Sequence, residues 1–210
     1  MSRAPWEPPL AGPADRQLVA SLDRMRWTFR WKCDGLDAGG LAVSIGASSL
    51  TLGGLLRHLT LVEDSMLGER LDSLPFPAHW GELDWEADPD AEFQGAAGLS
   101  PSRLYADYDE AVGRARAWME VALADPQALD APSAKEFDGQ VVSRRRFVCD
   151  LLEEYARHTG HADILRGHTE TLGPRLQRDL QAMAEVPPAP FEACEQATGQ
   201  VSSQSLVRYQ

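Results

Sequence analysis

Positive charge, cysteine and long apolar runs are all scarce in this chain, and each shortage removes a class of function. Lys and Arg together number 20 against 32 Asp and Glu, a net charge of −12. A nucleic-acid binder needs a basic footprint to displace counterions. The one basic cluster, Arg144-Arg145-Arg146, is too short to supply it and reads instead as the start of a helix. No apolar run approaches the roughly 20 residues that span a bilayer, and the first residues, Met1–Pro9, lack the apolar core of a signal peptide. Cys33, Cys149 and Cys194 are odd in number, widely separated and without metal-type spacing, as expected of a reduced cytoplasmic compartment. Internal repeats and alternating strand patterns are missing as well. What these absences leave is a small molecule or a protein as partner.

What is present is helical periodicity. After a proline-rich arm, Met1–Pro13, apolar residues Leu18, Val19, Leu22, Met25, Trp27, Phe29 and Trp31 form a helical stripe over about 14–36. A second stripe, Leu55, Leu56, Leu59, Val62, Met66 and Leu67, predicts a helix over about 52–71 with caps available at 48–51. Gly53 and Gly54 cost it propensity but allow close backbone packing near its start. Residues 72–99, rich in Pro, Gly, Asp and Trp, read as a long loop wrapped on the body by its aromatics. Ser100-Pro101 starts a third helix, to about Ala124, and residues 127–142 read as another loop. Ser143 can cap a fourth helix carrying Phe147, Val148, Leu151, Leu152, Tyr155, Ala162 and Leu165, ended by Gly167 or Gly173. A last helical stretch, Pro174–Ala184, precedes a polar tail. Four long amphipathic segments predict an all-α fold, a four-helix bundle with long connecting loops. The domain is expected over 14–172, with an arm at 1–13 and an extension at 173–210.

The fourth helix carries the chemistry. Glu154 and His158 are one turn apart and share a face, His161 follows on that face, and Asp150 extends it toward the helix start. A carboxylate and an imidazole stacked in this way form a two-point claw for a divalent ion. The third ligand is expected from His58, in the second helix. Each residue also has a plainer reading: His58 as a core-edge histidine, Glu154 as a solvated carboxylate, His158 and His161 as surface polar groups. His79 and His168 read as structural or solvent-facing, Tyr155 as core, and Cys149 as a small buried residue.

Three segments resemble the DinB-like (YfiT-like) superfamily, in particular its actinobacterial branch that includes mycothiol-dependent maleylpyruvate isomerase. They are 51–63 (TLGGLLRHLTLVE), 85–93 (WEADPDAEF) and 151–163 (LLEEYARHTGHAD), and the similarity covers roughly residues 15–170. The resemblance implies a four-helix bundle of up-down-down-up type with a three-ligand metal site. Many members use three histidines, the last two as H-x3-H; here Glu154 takes the first position of that pair, and the isomerase branch uses a similar His/Glu/His set. The implied ligands are His58, Glu154 and His158, with His161 beside them. Zinc is expected first, with nickel or iron behind.

By the same resemblance the site would use a low-molecular-weight thiol such as mycothiol or bacillithiol, held as thiolate for attack on a small-molecule electrophile. His161 or Asp150 would move protons, and the Trp80/Trp85 loop would be a packed strap or a lid. The reaction class is transferase or isomerase. A non-catalytic metal-binding stress or resistance protein, or a dimerising scaffold with a vestigial site, are the competing readings. A homodimer is compatible with this kind of bundle.

Overall fold

The computed structural model describes residues 7–66, 76–125 and 127–169. Among them are four long helices, which supply most of the buried core. Helix α1 (Ala14–Cys33) follows Pro13, and its buried positions Val19, Leu22, Arg26, Phe29 and Cys33 recur every three to four residues. The one-turn α2 (Ala38–Leu41) is capped by Asp37, which accepts from the Gly40 amide at 2.8 Å. Helix α3 (Leu52–Glu63) starts at Thr51, whose hydroxyl accepts from the Gly54 amide at 3.0 Å, and widens into a π-helical turn at 64–66. The expected extension of this helix to residue 71 lies outside the described residues.

The stretch read as a uniform loop is more ordered than that. It holds two one-turn helices, α4 (Ala78–Gly81) and α5 (Ala91–Gln94), the latter running into a 3-10 turn at Gly95–Gly98. Trp80 anchors it, fully buried and donating its indole N–H to Asp64 at 3.0 Å, whereas Trp85 stays exposed. Helix α6 (Pro101–Ala122) begins at the expected Ser100 cap with Pro101 in its first turn, where a missing N–H costs nothing.

The expectation of a loop over 127–142 is corrected by an antiparallel hairpin, β1 (Pro132–Phe137) and β2 (Gln140–Ser143). Its two-residue turn is Asp138-Gly139, both with positive φ (50° and 71°), which matches the right-handed strand twist. The strands gave no signal because Ser133, Ala134, Lys135 and Glu136 do not alternate in polarity and the register is irregular between Pro132 and Glu136. Helix α7 (Arg144–Thr169) follows Ser143 directly and runs through Gly167. Gly173, the 174–184 helix and the tail lie outside the described residues.

Helix α1 packs on α7, α3 packs on α6 and α7, and α1 also meets α3. Leu22, Phe29, Leu55, Leu56, Leu59, Tyr108, Leu151 and Tyr155 meet in one core. Inside it lies an ion pair that periodicity does not reveal. Arg26 Nε and Nη2 each donate to a Glu63 carboxylate oxygen at 2.7 Å, with both side chains essentially inaccessible.

The start of α3 is pressed against its neighbours. A Cβ at Gly54 would stand 3.3 Å from the Phe93 carbonyl oxygen, and one at Gly53 would stand 3.2 Å from that of Leu41. These are backbone neighbours, which cannot swing away. Gly54→Val is therefore expected to lower stability by about 1–3 kcal/mol, the usual range for overpacking, as read by urea denaturation. A loss below that range would mean that α5 shifts freely.

Candidate metal centre

Two elements that are remote in sequence supply the cluster. Helix α3 presents His58, half-buried, and α7 presents Glu154 and His158 one turn apart, with His158 buried. One donor atom from each of the three lies within 4.8 Å of the other two. Glu154 Oε2 is 3.7 Å from His58 Nε2 and 3.3 Å from His158 Nε2. Donors about 2.1 Å from one ion at tetrahedral angles stand roughly 3.4 Å apart, so these spacings suit a shared divalent ion. His58 Nε2 is buried and has no hydrogen-bond partner among the described residues, a state that costs free energy unless something occupies it.

The other ring nitrogens are held. His58 Nδ1 meets Glu92 Oε1 at 3.3 Å, and His158 Nδ1 meets His161 Nδ1 at 3.2 Å. The His58 ring also stacks on Phe93, with centroids 4.6 Å apart and planes 14° apart. With a proton on each Nδ1, both imidazoles turn an Nε2 lone pair to the same point. Glu154 Oε1 is gripped by Arg157, leaving Oε2 to face the histidines.

Protonation agrees with ligation. Burial drives the His158 pKa down to about 4, the His58 charge adds to that, and the Glu154 carboxylate only partly opposes it. The ring is thus neutral at physiological pH. Burial would raise the Glu154 pKa, but the Arg157 hydrogen bond and charge, joined by His158 and His58 when those rings are protonated, outweigh it and hold the carboxyl below its ordinary value.

Of the residues singled out in the sequence, His58, Glu154 and His158 converge, and His161 stands against His158. Asp150 sits a turn before Glu154, where it accepts from Arg146 Nε at 2.6 Å. His79 and His168 are exposed, and Tyr155 is core. Cys149 is a half-buried free thiol, and Cys33 is buried with its pKa pushed up by desolvation, so Cys33 supplies no thiolate. The residue that the sequence reading missed is Glu92. It is buried on α5, and its Oε2 has no hydrogen-bond partner among the described residues. It lies in an acidic, aperiodic stretch, and nothing there marks one carboxylate above the others. A carboxylate on the far nitrogen of a ligating histidine fixes its tautomer and raises its basicity. Glu92→Gln is expected to weaken divalent-ion binding roughly 10–100-fold, as measured by competition with a chromogenic chelator. Unchanged affinity would reduce Glu92 to packing.

A family model for mycothiol-S-transferase matches residues 17–171, from the first turn of α1 to just past the end of α7, with the whole cluster inside the match. The chain belongs to the mycothiol-S-transferase family. That family is part of the DinB-like superfamily, so the resemblance read from the three segments holds. A search of curated proteins found no match. No helix among the described residues is long and apolar enough to cross a membrane.

Proposed function

We propose that the protein is a metal-dependent transferase that joins a low-molecular-weight thiol of the mycothiol type to an electrophilic small molecule. The observation that carries this reading is the convergence of His58 Nε2, His158 Nε2 and Glu154 Oε2 in a chain of the mycothiol-S-transferase family. A three-ligand set of two imidazoles and one carboxylate suits zinc with an open position, and nickel or iron next. A divalent ion there would lower the pKa of a bound thiol and favour its reactive thiolate.

The rest is the work of the chain's own residues. Glu92 and His161 hold the two ring tautomers, and Arg157 holds Glu154 to one free oxygen. His161, half-buried beside His158, would carry the thiol proton away only by releasing the Nδ1 bond that it accepts from His158. Asp150 is the weaker candidate for that role because Arg146 already engages it. The thiolate sulfur then bonds to the electrophilic carbon as that carbon's bond to its leaving group breaks, the leaving group departing with the electron pair and taking up a proton.

We read the scaffold as a four-helix bundle built by α1, α3, α6 and α7 within a domain over 14–172, acting in the cytoplasm, with a homodimer compatible with it. Elemental analysis of untagged protein, followed by mycothiol and a chromogenic electrophile, tests the function. About one zinc, nickel or iron per chain with metal-dependent S-conjugation is the expected result. Stoichiometric metal without turnover would favour sequestration, and no metal after reconstitution would sink the reading.

A further inference from the structure

Arg57 precedes His58 on α3 but points to different surroundings. Its half-buried guanidinium has no carboxylate within ion-pair reach among the described residues. It rests against Gly95, where a Cβ would fall 1.8 Å from Nη1, and its Cζ lies 5.4 Å from the centre of the Trp80 ring. Arg57, Trp80, Leu83 and Leu104 line a cavity of about 430 Å³, within the size range of small-molecule sites. Two acids also border it. Asp107 is already paired with Arg103, at 2.8 Å, and Glu82 is exposed at the rim, where solvent screens it. The Thr60 hydroxyl is committed to the Leu56 carbonyl at 2.8 Å.

A cation kept partly out of water with no ion-pair partner among the described residues is costly, and its fixed planar fork matches a carboxylate. We propose that this cavity binds a small organic acid, its carboxylate on Arg57 and its apolar body against Trp80, Leu83 and Leu104. The inference does not depend on the metal reading, because none of the three converging ligands lines the cavity.

The test is calorimetric titration of the full, metal-free chain with 2-naphthoate and with its neutral analogue 2-naphthamide. The wild type is expected to prefer the acid about tenfold or more. Arg57→Met removes the charge, and Gly95→Ala keeps the charge but pushes the guanidinium off its seat. Both are expected to erase the preference while melting cooperatively. Equal affinity for acid and amide in the wild type, or a preference that survives in both variants, would overturn the proposal.

Discussion

The His158→Ala protein is expected to be isolated without its divalent ion. Its affinity should fall well beyond the roughly 10–100-fold that loss of an outer hydrogen-bond partner costs. His158 is the only one of the three candidate ligands that is buried, and its removal takes a donor from beside Glu154 Oε2. It also strips His161 of its Nδ1 partner, so one change undoes both ligation and its support. The metal-free fold should survive, because single substitutions typically cost 0.5–3 kcal/mol; circular dichroism provides that check. His168→Ala, at an exposed position near the end of the same helix, is the matched control and should keep a full complement of metal. If His158→Ala retains stoichiometric metal, the ion sits elsewhere and the proposed chemistry loses its basis.

That prediction was largely legible in the sequence, and the reason is geometric. Within a helix, spacing fixes direction, so Glu154 and His158 had to share a face once α7 was read correctly. His58 followed from the apolar stripe of α3 together with the resemblance to DinB-like proteins. Glu92 was not legible, because it reaches His58 from a one-turn helix whose placement depends on Gly54 letting α5 approach. The hairpin over 132–143 was missed for a related reason. Its only local signal was Asp138-Gly139, since its strands bury little and so show no alternation. Helix α1 went partly wrong in another way: the sequence stripe favoured Met25, Trp27 and Trp31, yet these are only half-buried and Arg26 takes the inner position. Hydropathy assigns arginine to solvent, and its partner lies 37 residues away on another helix.

The Arg26 pair supports the second large effect. Arg26→Met is expected to destabilise the fold by about 3–5 kcal/mol, because it strands the Glu63 carboxylate in the core. In a chain of this size that corresponds to a fall in Tm of roughly 6–20 °C. Burial alone would depress the Arg26 pKa, but the Glu63 charge, its hydrogen bond and the Asp23 charge more than reverse this, so the guanidinium is charged throughout the working range. Its Nη1 donates to Asp23 at 2.9 Å, and Asp23 also accepts from Arg116 of α6 at 3.0 Å. Tyr108 donates to the Arg26 carbonyl at 3.3 Å and accepts from Tyr155 at 3.0 Å. One network thus links all four long helices, and Glu63 stands only five residues beyond His58 on α3. The decisive comparison is the double variant Arg26→Met with Glu63→Leu, which removes both charges. It should recover most of the lost stability, since replacing a whole buried pair with apolar groups is often neutral or better. If it also keeps full metal affinity, the pair serves only the core. A stable double variant with weakened metal binding would show that the network sets the rotation of α3 and so aims His58 at the site.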